Sequence, residues 1–116
     1  MGYPMRRGEI YYANLNPTIG SETAKRRPVL IVSSNANNRA ADTVTVLPIT
    51  SNVQRVYPFE VFLTPEESRL PKPSKVQAQQ IRTISKQRLE PELLGYLSDE
   101  KMQEINTALQ LHLNLS

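Results

Sequence analysis

Three consecutive cations, Lys25-Arg26-Arg27, run through Pro28 into the aliphatic stretch Val29-Leu30-Ile31-Val32, and no other feature restricts the fold as tightly. An unbroken β-branched and aliphatic run reads as a core strand over Pro28 to Ser33. Pro28 has its φ fixed and biases Arg27 towards extended backbone. The last cation is therefore held at the strand mouth, and the residues from Gly20 onward form a flexible loop before it. A basic loop of this kind holds a polyanion, and an arginine on a rigid element is a candidate for chemistry.

Four further segments read as strands. Glu9 to Ala13 is short and aromatic, Thr43 to Leu47 and Phe59 to Leu63 alternate at period two, and Val76 to Ile84 has an imperfect pattern that predicts a bend or bulge. The separators are Asn16-Pro17, Asn35 to Asp42, Val53 to Pro58 and Leu70 to Ser74, each too short to link two domains. The C-terminus changes period. Ser98 is placed to cap a helix over residues 99–113, with Asp99 and Glu100 in its first turn and Met102, Ile105, Ala108, Leu109, His112 and Leu113 on one stripe. The expected architecture is α+β, mainly β: a small, strongly curved antiparallel β-barrel with a C-terminal amphipathic helix, in one domain spanning residues 1–116.

Composition removes several function classes. No apolar run approaches the roughly 18 residues of a membrane span, and the stretch Met1 to Arg7 has no apolar segment after its charge pair, so it does not read as a signal peptide. A cytoplasmic protein with no membrane partner is expected. With no cysteine there is no disulfide, thiolate nucleophile or Cys-based zinc site. The net charge of +3 is unevenly spread: residues 1–82 carry 11 Lys/Arg and 6 Asp/Glu, residues 83–116 carry 3 and 5. That asymmetry favours an anionic partner, nucleic acid or acidic polypeptide, on the body of the domain.

Little catalytic apparatus remains. His112 is the only histidine and lies on the apolar stripe of the last helix, where a buried or interface role is expected, so no pair of histidines is available to cleave RNA. Asp42 and Asp99 are the only aspartates and the glutamates are scattered, so neither a metal site nor a cofactor is expected. Arginine, hydroxyl and amide side chains are left. They are able to stabilise a pentavalent phosphorane by charge-assisted hydrogen bonds, and attack of an RNA 2′-hydroxyl on its own phosphate needs little more.

The ordered motifs Arg7-Gly8-Glu9-Ile10-Tyr11, Leu15-Asn16-Pro17, Gly20-Ser21-Glu22, Arg27-Pro28-Val29-Leu30-Ile31-Val32, Pro48-Ile49-Thr50-Ser51 and Gln80 to Leu89 cover nearly the whole chain. In order and spacing they resemble the MazF/PemK-type endoribonuclease toxins of bacterial type II toxin–antitoxin pairs. The resemblance implies an SH3-like barrel of the CcdB/PemK-like toxin fold, a homodimer, and metal-independent, sequence-specific cleavage of single-stranded RNA (mRNA) to 2′,3′-cyclic phosphate and 5′-hydroxyl ends. It also implies an acidic antitoxin whose disordered tail crosses the basic groove.

By the same resemblance Arg27 and Thr50 are the catalytic pair. Ser21, Thr23, Lys25, Arg26, Ser51, Gln80 and Arg82 are expected to bind RNA, Gln80 and Arg82 at bases, Lys25 and Arg26 at outer phosphates, and Tyr57 is a candidate to stack a base. With three adjacent cations, Arg26 is the alternative to Arg27, and the acceptor of the 2′-proton stays open. A CcdB-like toxin that binds DNA gyrase without cleaving anything is the other reading, but such toxins use a C-terminal tryptophan and this chain has none. An inactive relative that only binds RNA or antitoxin is a third. The segment Arg69 to Lys75 has no assigned counterpart and is a candidate partner contact.

Overall fold

The β-branched runs form one antiparallel sheet in a computed structural model that describes residues 5–115. Residues 1–4, part of the stretch read as lacking a leader, and residue 116 lie outside the described residues. The strands are β1 (Glu9–Asn14), β2 (Arg26–Ile31), β3 (Thr43–Thr50), β4 (Glu60–Leu63), β5 (Ser74–Gln77), β6 (Arg82–Ser85) and β7 (Leu89–Tyr96). Their hydrogen-bonded order is β4-β5-β3-β2-β1-β7, with β6 also on β3. The class is the expected one, and the sheet remains open at its β4 and β7 edges. Helices α1 (Asn35–Ala40), α2 (Pro65–Ser68) and α3 (Asp99–Leu113) complete the fold.

Strand parity divides the interior in two. Ile10, Leu30, Leu47, Ile49, Val61 and Val76 face one way and pack beneath Met102, Ile105 and Ala108 of α3. Tyr11, Ala13, Val29, Ile31, Val44, Val46 and Ile84 face the other way and form a second core. Since β2 is apolar on both faces, its sequence is a continuous run instead of an alternation.

Several boundaries move for physical reasons. Strand β2 begins at Arg26, so Arg26 and Arg27 belong to the sheet, paired with Asn14 and Ala13 of β1, and not to the preceding loop. Pro28 is tolerated because the β2–β3 ladder starts only at Val29. Strand β3 continues through Pro48 to Thr50. Residues 43–46 of β3 pair with β6 and residues 49 and 50 with β5, so the proline falls where neither neighbour pairs with that side.

The bend expected in Val76 to Ile84 is larger than a bulge: a 3₁₀ turn, Ala78–Gln80, separates two strands that pair with different stretches of β3. Strand β7 was not expected, because Glu90, Pro91, Glu92 and Gly95 dilute its apolar pattern; as an edge strand it accommodates Pro91.

Helix α3 has the expected limits. The Ser98 hydroxyl accepts the Lys101 N–H at 3.2 Å, a cap worth about 1 kcal/mol. The stripe departs from expectation at its end: Met102, Ile105 and Ala108 are buried, whereas His112 and Leu113 are exposed. The helix outruns the sheet by its last turn, and the imidazole meets only the Phe59 ring, edge on, with centroids 6.1 Å apart. Among the described residues no helix is long and apolar enough to cross a membrane.

Candidate active site

Arg27 and Thr50 come together through the β2–β3 register. The ladder pairs Ile31 with Val46, Leu30 with Leu47 and Val29 with Pro48; continued two residues further, it sets Arg27 opposite Thr50. Both side chains therefore leave the two strands side by side. They line a cavity of about 180 Å³ with Tyr12, Arg26, Ser51, Pro71 and Lys72. The Arg27 Nε–H donates to the Ala24 carbonyl at 2.9 Å, which orients the guanidinium and leaves its terminal nitrogens without a partner among the described residues. The Thr50 Oγ1 accepts the Asn52 N–H at 3.2 Å, so its own hydrogen is available to donate. The cavity thus presents a fixed cation and an oriented hydroxyl, which together suit the non-bridging oxygens of a phosphodiester.

A second cavity of about 240 Å³ is lined by Glu22, Thr23, Pro48, Gln79, Gln80 and Arg82. Its amides hold the preceding loop. The Thr23 N–H donates to Gln80 Oε1 at 3.2 Å, the Thr23 hydroxyl to Gln77 Oε1 at 2.8 Å, and Gln80 Nε2 to the Ser21 carbonyl at 3.2 Å. Arg82 Nη1 donates to the Leu15 carbonyl at 2.7 Å. Gln80 and Arg82, expected to contact bases, are in this structure both engaged with the Leu15 to Thr23 loop. The 3₁₀ turn makes this possible by lifting Gln80 out of the sheet.

The three adjacent cations have different surroundings. Lys25 has left-handed backbone (φ 73°), with its N–H on Asn16 Oδ1 at 3.0 Å and its side chain exposed. Arg26 is bound by Glu90: Nε and Nη2 donate to the two carboxylate oxygens at 2.5 and 2.8 Å, and the guanidinium lies 3.8 Å from the centroid of the Tyr12 ring. Hydrogen bonding to Glu90 raises the Arg26 pKa above its ordinary value and lowers that of Glu90. Ser51 lines the first cavity beside Thr50; Ser21 and Lys25 line neither. Tyr57 is exposed, stacked on Phe59 at 5.5 Å, and receives Arg55 Nη1 on its hydroxyl at 3.1 Å.

Sequence reasoning missed Tyr12, Gln77, Glu90 and Lys75. Lys75 and Glu60 form a buried ion pair at 2.9 Å, with side chains 10% and 1% exposed. Lys75 also donates to the Arg55 carbonyl at 2.6 Å, and Glu60 accepts from the Tyr57 N–H and from Gln79 Nε2. This network ties β4 and β5 to the chain that leaves the active-site strand after Thr50. Burial alone raises the Glu60 pKa, but hydrogen bonds from Tyr57 and Gln79 and the Lys75 ammonium outweigh it and hold the carboxyl below its ordinary value. Among the described residues no three His, Cys, Asp or Glu side chains are grouped to hold a metal ion.

Residues 6–113 match the family described as PemK-like, MazF-like toxin of type II toxin-antitoxin system. Endoribonuclease MazF9 of Mycobacterium tuberculosis is 41% identical over 117 residues, covering 96% of this chain and 98% of that protein. Endoribonuclease MazF of Staphylococcus saprophyticus is 41% identical over 112 residues, covering 96% and 92%. Among solved structures, an endoribonuclease in complex with its cognate antitoxin from a mycobacterial species superposes with a TM-score of 0.79 at 32% identity, covering 97% of each chain.

Proposed function

The chain belongs to the PemK-like, MazF-like toxin family, and from that premise we propose that it is the endoribonuclease toxin of a toxin–antitoxin pair, cutting single-stranded RNA without a metal. Arg27 and Thr50 are its catalytic residues. The observation that carries the assignment is their placement opposite one another at one cavity, with the guanidinium ends unpartnered and the threonine hydroxyl free to donate.

In the reaction the RNA 2′-oxygen attacks the adjacent phosphorus, the bond from phosphorus to the 5′-oxygen breaks, and a 2′,3′-cyclic phosphate and a 5′-hydroxyl result. The 2′-proton leaves to a base and the departing 5′-oxygen gains a proton. Arg27 acts by stabilising charge on the phosphorane oxygens, since a guanidinium keeps its proton at neutral pH and is a poor base there. Thr50 donates to a non-bridging oxygen. Thr23, Gln80 and Arg82 line the neighbouring cavity, which suits the edges of unstacked bases. The protein works in the cytoplasm as a homodimer, and an acidic antitoxin segment occupies the basic face to inhibit it.

Cleavage of a long single-stranded RNA in EDTA tests this, with the fragment 5′ ends sequenced and the 3′ ends probed for cyclic phosphate. A substrate with one 2′-deoxy sugar at the mapped site must resist cutting there; cutting at that sugar, or loss of all activity in EDTA, rejects the mechanism.

A further inference from the structure

The segment Arg69 to Lys75, which no motif explains, forms a wall of the catalytic cavity. Leu70, Pro71, Lys72 and Ser74 line it together with Arg27 and Thr50. The β3–β5 register brings the segment there, since Thr50 pairs with Lys75, three residues beyond Lys72. Its backbone is restrained: α2 ends on Arg69 in the left-handed region (φ 66°), prolines flank Lys72 on both sides, and the Ser74 hydroxyl donates to the Lys72 carbonyl at 3.0 Å. Proline after Lys72 confines Lys72 itself to extended backbone.

Its charge is uncommitted. Arg26 is bound to Glu90 and Lys75 is buried against Glu60, while Lys72 is exposed and makes no ion pair among the described residues. Lys72, on a restrained backbone and unpaired, and Arg27, with the end of its guanidinium unpartnered, thus line one cavity from separate segments.

We propose that Lys72 is a further catalytic residue, its ammonium contacting a non-bridging oxygen of the scissile phosphate alongside Arg27. This rests on the ribonuclease assignment above. In the attack, negative charge grows on those oxygens, and a second cation held by the fold stabilises it without first reorganising. Lysine suits the role as a compact point charge with three rotatable donors, whereas Arg27 supplies the planar fork.

The test uses the full-length protein and an oligonucleotide bearing the mapped cleavage site. Lys72→Ala is expected to lower kcat/KM about 10- to 100-fold, the range for loss of one charged hydrogen bond, and Lys72→Arg to restore most of it, with melting temperatures unchanged. Binding to a 2′-deoxy, non-cleavable analogue separates this role from general attraction. Lys72→Ala should weaken binding to the all-phosphate analogue but have no further effect once the scissile phosphate is replaced by a neutral methylphosphonate. If wild type cuts RNA and Lys72→Ala matches it within twofold, the Lys72 role is overturned while the ribonuclease stands. If the Lys72→Ala binding loss persists with the methylphosphonate, the contact lies at another phosphate and the proposal is overturned. If wild type cuts no RNA, the ribonuclease assignment itself falls.

Discussion

Arg26 and Arg27 are adjacent on one strand and both line the first cavity, but their partners differ. A carboxylate already neutralises Arg26 across the β1 strand, whereas Arg27 keeps its terminal nitrogens for a ligand. Arg27→Ala should therefore lower kcat about 10²- to 10³-fold, the typical loss for one oxyanion-stabilising donor, while Arg26→Ala changes it by less than about fivefold. Single-turnover cleavage of one oligonucleotide compares them, and an inactive Arg26→Ala beside an active Arg27→Ala would transfer the role to Arg26. Glu90→Gln should tighten RNA binding, because it releases Arg26, which lines the first cavity; weaker binding would mean that Glu90 itself recognises RNA. The Arg-Pro junction and the Ile-Thr-Ser run were legible because each lies inside a strand-forming stretch. Glu90 was not, since its partner lies 64 residues away and nothing in the local sequence marks the pairing.

Strand β3 is the element on which the site depends, and a proline hid its length. Pro48 ends a strand when read locally, yet here it falls between two partner strands, and the continuation to Thr50 is what brings the hydroxyl opposite Arg27. Likewise, a 3₁₀ turn and a bulge look alike in sequence, and only pairing to two stretches of β3 tells them apart. The chain after Thr50 is anchored by the buried Lys75–Glu60 pair, so Lys75→Ala should cost about 3 kcal/mol by leaving the Glu60 charge uncompensated. Urea unfolding measures it, and a loss below about 1 kcal/mol would show that Gln79 and the Tyr57 N–H suffice. Glu60 and Glu67 both have lowered pKa values in the fold. Their contribution is complete above the ordinary carboxylate value near 4.3 and is lost as pH falls through the lower folded value. The urea midpoint should accordingly be flat from about pH 7 to pH 5 and drop below about pH 4; a midpoint unchanged down to about pH 3 would show that neither carboxylate contributes.

At the scale of the molecule, both cavities lie against the same sheet that carries the two apolar cores, so the site needs no separate domain to support it. The charge asymmetry of the sequence acquires a location here: Arg27, Lys72 and Arg82 line these cavities, while the acidic surplus lies in residues 83–116, with Asp99, Glu100 and Glu104 on α3. Charge counting predicted a polyanion partner but had no means of showing that Arg26 and Lys75 are already paired, so it overstated the free positive charge. If Arg27 and Lys72 contact phosphate at the first cavity and Lys25 an outer phosphate, as proposed, the slope of log binding constant against log salt for single-stranded RNA should be about −2. Raising salt from 50 to 200 mM would then weaken binding roughly 20-fold. Lys72→Ala should make the slope shallower by about 0.7. A slope near zero for wild type would mean that RNA is held by base contacts alone. An acidic antitoxin segment obeys the same electrostatics, so its inhibition should weaken over the same salt range; competition insensitive to salt would place it on a different face.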